Sequence, residues 1–299
     1  MKYRFCKKDE IEEVMKFIHD NWKNDHILAR NQTLMDWQYW NEKEGRYNFV
    51  LARDYGILVG VLGYIRCSDV IWLALWKSIG FAGTGIQMVR FVEDNEKYTY
   101  IGSIGINEKV ERIYEAMGYS CGVMDQFYVL PDISRGGSGI KSSRIKSLGP
   151  LSDDPILDKE GQSWKPEEYL NWRYKDHPLY DYWVCEFWDG TLILRMDVVP
   201  ECRACRIVDW WGSPGNPQLH QYLINYFGVD HIDCYSAGVP DSEFEKAGFK
   251  KLDPLGDVII PNYFAPYHHG NIEIRYCFKT DNLGKFKVVK SDGDMDRPS

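Results

Sequence analysis

The sequence predicts an α/β (α+β) protein made of two tandem modules, each a mixed, mostly antiparallel sheet flanked by helices, the second a degenerate copy of the first. Three observations lead there. The length, 299 residues, is about twice that of a typical domain. Over residues 1–131 the apolar periodicity switches between two and 3.6 in the order β-α-β-β-β-α-β-α-β. The same layout recurs after residue 150. The expected division is a first module at 1–131, a linker at 132–150 and a second module at 151–299.

"KYRFC" alternates into a strand, and Ile11, Val14, Met15, Ile18 and Trp22 then recur at helical spacing, with Asp9 and Glu12 set like a capping box. After "LMDWQYW", the runs "YNFVLARD" and "GILVGVLGYIRC" flank a Tyr-Gly turn and form an antiparallel hairpin. "DVIWLALWKS" is the next strand. "SIGFAGTGIQMVRF" follows, with Gly80, Gly83 and Gly85 leading into a helix marked by Ile86, Val89 and Val92. "YTYIGSIGI" is a strand, Val110, Ile113, Tyr114 and Met117 mark a helix that stops at Gly118, and "CGVMDQFYVLP" closes the module at Pro131. Residues 132–150 are rich in Gly, Ser and basic residues, the composition of a linker.

In the second half, "YLNWRYKDHPLYDYWVCEFWDGTLILRMDVV" follows the layout of "LMDWQYWNEKEGRYNFVLARDYGILVGVLGYI". "CRIVDWWGSPGNPQLHQYLINYFG" follows "DVIWLALWKSIGFAGTGIQMVRF", and "HIDCYSAGVPDSEFEKAGFKKL" follows "YTYIGSIGINEKVERIYEAMGY". The pattern is that of an internal duplication.

Composition narrows the function. A hydrophobic fraction of 44% with 15% aromatics belongs to an ordered globular chain. The formal charge of −8 argues against nucleic acid as a partner, which needs a basic field, while leaving room for a small anion held by backbone amides. "MKYRFCKKDEIEE" lacks the pattern of a signal peptide, and no run approaches the roughly 18 apolar residues of a membrane span, so a soluble cytoplasmic protein is expected. The eight cysteines are scattered, with Cys202 and Cys205 the one close pair, and are expected as free thiols. No metal is expected: His268 and His269 would point apart on a strand, and "DGDMDR" lacks the spacing of a calcium loop. Oligomeric state, monomer or homodimer, stays open.

Gly83-Thr84-Gly85 sits where a strand hands over to a helix, so the chain can turn tightly and present successive N–H groups at the positive end of the helix. It is not a dinucleotide fingerprint, whose third glycine would fall at Met88, nor a P-loop, since no Lys-Ser/Thr pair follows. Downstream, "NEKVERIYEAMGY" sets Asn107, Tyr114, Gly118 and Tyr119 in the pattern N-x6-Y-x3-G-[FY]. Asn107 is a good N-cap, and Tyr114 lies two turns further on the same helical face.

On these two elements the first module resembles the Gcn5-related N-acetyltransferase superfamily. The resemblance implies that Gly83 and Gly85 shape a turn for the pyrophosphate of acyl-coenzyme A, with Ile79, Phe81, Ala82, Thr84 and Ile86 offering amides. Gly80 stands where that family has Gln or Arg. It further implies that Asn107 contacts the pantetheine arm, that amides of the strand at Leu75 and Trp76 face the thioester, and that Tyr114 protonates the leaving thiolate. In the second module the corresponding turn carries Pro214 and Pro217, which lack N–H donors, and Phe244 replaces the phenol, so acceptor binding is expected of it and not a second catalytic site.

Residues 24–40 and the ending "FKVVKSDGDMDRPS" are similar to nucleotide-sugar N-acyltransferases of that superfamily that serve bacterial surface-polysaccharide (lipopolysaccharide, O-antigen) synthesis. This implies an amino sugar on a nucleotide, a dTDP-linked amino-deoxyhexose, as acceptor, and acetyl- or 3-hydroxybutanoyl-coenzyme A as donor. Trp37, Tyr39, Trp172 and Tyr263 offer ring faces for sugar or base, and Asp25, Arg30 and Arg173 offer charges for acceptor and phosphates. His26 is the first candidate for general base, with Asp36 and His177 in reserve. Two other functions fit the same residues: a non-catalytic sensor of acyl-coenzyme A or sugar nucleotide, and an aminoacyl transferase acting on a cell-wall precursor.

Overall fold

The computed structural model describes residues 1–132, 145–151, 156, 163–199, 202–261, 269–281 and 287–296. The chain forms two compact units: Met1–Gly122 with Ile274–Leu283 and Gly293–Ser299, and Val123–Glu273 with Gly284–Asp292.

In the first unit, strand β1 (Lys2–Lys7) leads through a 3-10 turn (Lys8–Glu10) into helix α1 (Ile11–Asn21). The capping pair expected at Asp9 and Glu12 is set differently. The Glu10 carboxylate accepts the Lys7 N–H at 3.0 Å and pairs with Arg4, because the 3-10 turn shifts the start of the helix. Helices α2 (Ile27–Arg30) and α3 (Gln32–Tyr39) follow, then β2 (Trp40–Asn41), β3 (Arg46–Asp54), β4 (Ile57–Cys67) and β5 (Val70–Ser78). After the glycine turn come α4 (Thr84–Asn95), β6 (Tyr100–Ile106), α5 (Glu108–Ala116) and β7 (Ser120–Val129).

The strand order of this unit is β1-β3-β4-β5-β6, and beyond β6 lies β14 (Ile274–Thr280). Its ladders are antiparallel except β5 with β6. Val50, Ala52, Leu62, Tyr64, Ile71, Leu73 and Ile101 form one face and bury Met88, Val89 and Val92 of α4 and Tyr114 of α5. Alternation sends Phe49 to the other face, where the Tyr39 ring packs on it at 4.5 Å. Gly63 lets the two rings approach, since a Cβ there would lie 2.8 Å from Phe49 and 2.9 Å from Tyr39.

The second unit repeats this order. Strand β8 (Ile145–Pro150) precedes α6 (Glu167–Leu170), which continues into a π-helical turn (Asn171–Lys175). Then come β9 (Tyr182–Phe187), β10 (Gly190–Val199), β11 (Cys202–Gly212), α7 (Pro217–Phe227), β12 (His231–Ala237), α8 (Asp241–Lys246) and β13 (Lys250–Lys251). Again one pair is parallel, β11 with β12, and a short strand β15 (Val288–Val289) adds to β12.

Two placements differ from the expected boundaries. From Val123 onward β7 belongs to the second unit, where Asp125–Val129 pairs with β12. Residues 145–150 of the expected linker are strand β8, paired with β9; residues 133–144 lie outside the described residues. In both cases a distant ladder captures a segment whose local composition signals only a loop or a terminal strand. Among the described residues no helix is long and apolar enough to cross a membrane. All eight cysteines are free thiols.

Candidate active site

The parallel ladder of β5 and β6 runs from Val70 opposite Tyr100 to Leu73 opposite Ser103 and ends there, although the strands continue to Ser78 and Ile106. Past this point β5 keeps its bonds to β4, and β6 keeps its bonds to β14. The two strands therefore part. Ser103 marks the fork, its hydroxyl donating to the Leu73 carbonyl at 2.8 Å.

At the far end of β5 the chain turns through Gly80 and Gly83, whose φ values are +95° and +87°. Both are left-handed, a conformation glycine adopts at little cost. Gly83 is the N-cap of α4 and brings no side chain to the cap. The first amides of a helix have no intrahelical acceptor, and here those of Gly85 and Ile86, with those of Phe81, Ala82 and Gly83 in the turn, meet no acceptor in any described hydrogen bond. Two of the amides expected to serve are taken: Ile79 donates to the Val59 carbonyl at 2.8 Å, prolonging the ladder, and Thr84 to the Phe81 carbonyl at 3.3 Å. The Thr84 side chain is almost fully buried, and its hydroxyl meets the Tyr3 phenol, opposing the rise that burial gives the phenol's pKa. Residues 81–84 of the turn wall a surface depression of about 390 Å³ together with Met1, Tyr3, Asp54 and Gln87.

Gly85 serves a second purpose. A Cβ there would lie 2.5 Å from the Trp76 indole nitrogen, so the lack of a side chain lets this ring lie against the helix start. Trp76 in turn meets Tyr114 edge-on at 5.5 Å, and Tyr114 meets Tyr119 at 4.8 Å. Leu75 is buried. Asn107 caps α5, its Oδ1 accepting the Val110 N–H at 3.0 Å, which aims Tyr114 inward two turns later. Tyr114 is only 1% exposed. Burial pushes its phenol well above the ordinary tyrosine pKa, Cys277 adds to the rise, and the hydroxyl of Ser103 opposes it. The turn, Trp76, Tyr114 and Ser103 thus gather on one side of the fork.

The expected acceptor residues are less unified. His26 is buried as the N-cap of α2, its Nδ1 accepting the Leu28 N–H at 3.2 Å, so this nitrogen's lone pair is already engaged. Asp36 accepts from Gln32 at 2.7 Å and from the Tyr47 hydroxyl. Trp37 is half-buried, Arg30 is exposed, and exposed Asp25 pairs with Lys23 at 3.4 Å. Tyr39 is fully buried against Phe49 and supports the sheet. In the second unit the half-buried Trp172 packs on Tyr169 at 5.2 Å, Arg173 is fully buried, and His177 Nδ1 accepts the Tyr180 N–H at 3.0 Å. Tyr263 lies outside the described residues.

The matching place in the second unit is closed twice over. In its turn, Ser213 Oγ takes the Gly215 N–H at 3.2 Å, Asn216 Oδ1 takes that of Leu219 at 3.0 Å, and the His220 ring donates to the Pro214 carbonyl at 3.0 Å. Pro217 at the head of α7 has no N–H. Phe244 stacks on Phe127 at 3.8 Å. Where the β11–β12 ladder ends, at Ile207 opposite Cys234, residues 287–292 enter: Val288 and Val289 pair with β12, the Ser291 N–H reaches the Val208 carbonyl at 3.2 Å, and Lys287 donates to the Trp210 carbonyl at 2.5 Å. Buried Lys165 holds the segment, 2.7 Å from Asp209 and 2.8 Å from Asp292. Burial works against its charge, but the two carboxylates outweigh burial and keep its pKa above the usual lysine value. Sequence reasoning had no signal for this plug beyond the loss of the turn chemistry.

Among the described residues one group, Glu111, Glu115 and Cys121, brings potential metal-ligand atoms within 4.8 Å of one another, and Glu111 is already paired with Arg275 at 2.7 Å.

No family model matches the chain, and no curated protein matches it. Solved structures do. A GCN5-related N-acetyltransferase from Kribbella flavida is 9% identical, with 93% of this chain and 71% of that one covered at a TM-score of 0.55. A GCN5-related N-acetyltransferase from Anabaena variabilis is 13% identical, with 94% of this chain and 73% of that one covered at a TM-score of 0.54. The likeness is one of backbone: this chain has the fold of GCN5-related N-acetyltransferases, in two units of which the second has its fork filled by residues 287–292.

Proposed function

We propose that the chain is an acyl-coenzyme A-dependent N-acyltransferase that works through its first unit. The observation that carries this is the joint presence of unclaimed amides at the head of α4 and a buried phenol at the fork between β5 and β6. The amides of Phe81, Ala82, Gly83, Gly85 and Ile86 hold the pyrophosphate, since a helix start with free N–H groups favours an anion. The pantetheine arm follows the fork past Asn107, and the strand amides at Leu75 and Trp76 face the thioester oxygen. A neutral amine attacks the carbonyl carbon, the carbon–sulfur bond breaks, and the thiolate takes the Tyr114 proton. A phenol with a raised pKa stays protonated at neutral pH, as this role requires. With His26 Nδ1 engaged as a cap, the amine's extra proton goes to water.

The acceptor we propose is a nucleotide-linked amino sugar, dTDP-linked by the resemblance of residues 24–40, with acetyl or 3-hydroxybutanoyl as the acyl group. Half-buried Trp37 and exposed Arg30 of the first unit support it. A second function, acyl-coenzyme A binding without turnover, is favoured by the burial of Tyr114. Release of free coenzyme A thiol on mixing the protein with either donor and a panel of dTDP- and UDP-amino sugars separates the two. Turnover dependent on one sugar supports the enzyme. Tight donor binding with no thiol release across amine acceptors supports the binding protein.

A further inference from the structure

We propose that residues 293–296 are a strap across the first unit's fork that keeps water from the acyl thioester until an amine arrives; this rests on the acyl-donor role of that unit. Two glycines locate the segment. Gly293 is buried, and a Cβ there would lie 3.5 Å from the Trp72 Cβ. Trp72 stands opposite Gly102, one rung before the β5–β6 ladder ends, and alternation turns it away from the face on which Ile71 and Leu73 pack with α4 and α5. Two residues after Gly293, the Met295 thioether lies against Gly105, where a Cβ would overlap its sulfur. Asp296, only 1% exposed, seats the segment.

Met295 crosses at the level where the thioester is held. The last rung of the ladder joins Leu73 to Ser103, so Leu75 and Gly105 each lie two residues beyond it, one on either arm of the fork. Gly105 is the odd residue of its arm. Ile104 and Ile106 pair with the consecutive residues Tyr276 and Arg275, and Gly105, with a φ of +77°, bulges between them. A left-handed glycine at a bulge bends a strand and leaves room beside it. Met295 fills that room. Its unbranched side chain suits an irregular gap and can swing aside for an entering amine. Excluding water protects a reactive group from hydrolysis. In the reaction so prevented, a water oxygen adds to the thioester carbonyl, the carbon–sulfur bond breaks, the thiolate takes one proton of the water, and the acetic acid formed loses the other to solvent.

Hydrolysis of acetyl-coenzyme A by the full chain in amine-free buffer, read as free thiol beside calorimetric donor affinity, tests this. Met295→Ala should raise hydrolysis about fivefold or more, with donor affinity within about twofold of the parent chain. Gly105→Asn uses a residue tolerant of positive φ to put a side chain where the thioether lies, and it should raise hydrolysis similarly. Added to Met295→Ala, it should change little further, since both act on one contact. Trp188→Ala, an exposed change in the second unit, should alter neither reading. Donor binding with hydrolysis unchanged in Met295→Ala, or with the effects of the two substitutions fully additive, overturns the strap. Absence of donor binding by the parent chain overturns the acyl-donor role, and the strap's purpose with it.

Discussion

Tyr114 and the glycines before α4 carry the sharpest consequences at the scale of single residues. Tyr114→Phe keeps the ring against Trp76 and Tyr119 and removes only the hydroxyl near Ser103. Turnover should fall at least about tenfold while donor affinity stays within about twofold, measured by thiol release and calorimetry; equal turnover removes Tyr114 from the mechanism. At Gly83 a side chain meets no neighbour, but its φ of +87° strains any residue other than glycine, so Gly83→Asp both stresses the turn and sets a negative charge among the free amides, and Gly83→Asn, with the same strain and no charge, is its control. Donor affinity should drop about tenfold or more with the fold retained, and unchanged affinity would mean the turn holds no anion. Gly85→Ala is a packing test instead. The new methyl would strike Trp76 at 2.5 Å, and a loss of about 1–3 kcal/mol in denaturant unfolding is expected.

At the scale of elements, α4 and α7 start alike in the sequence and differently in chemistry. Both follow a glycine-bearing turn after a strand whose next partner is parallel. The head of α4 is left open, while that of α7 is closed by Ser213, Asn216 and His220. The closure has a pH signature. Burial lowers the His220 pKa to about 4, against about 6.5 in an unfolded chain. Since the unfolded chain takes the proton first, this contribution is fully present above pH of about 6.5 and is lost as pH falls toward about 4, up to about 3 kcal/mol in all. Urea unfolding followed by tryptophan fluorescence at pH 7 and 4.5 should show that slope, and His220→Gln should flatten it. An equal slope in the variant would assign the effect elsewhere.

For the whole molecule, the duplication yields one unit whose turn amides are unclaimed and one whose turn is closed and whose fork is filled. Calorimetry should therefore find one acyl-coenzyme A per chain, and a second site of similar affinity would contradict the filling of the second unit by residues 287–292. Lys165→Met should leave Asp209 and Asp292 facing each other without their cation and destabilise the second unit by about 3–5 kcal/mol. Adding Asp209→Asn and Asp292→Asn should recover part of that loss in the same unfolding assay.

Much of this was legible along the chain. The order of strands and helices follows from local periodicity, Gly83 and Asn107 declare the two helix starts, and Pro214, Pro217 and Phe244 announce that the second module has lost its turn chemistry. Such signals are local, set by backbone freedom, missing N–H donors and the repeat of apolar faces. The tertiary structure alone decided which strands meet. Ile106 pairs with Arg275, Val129 with Ile232, and Ser236 with Val289, so a late strand extends the first sheet while β7 and a late segment join the second. It also decided that Ile79 spends its amide on Val59, that His26 spends its Nδ1 on a helix cap, and that Tyr39 is core. Periodicity says which face of a segment is apolar, but a strand edge presents the same N–H and C=O groups to any partner, and the choice among partners is made by packing between residues far apart in the chain.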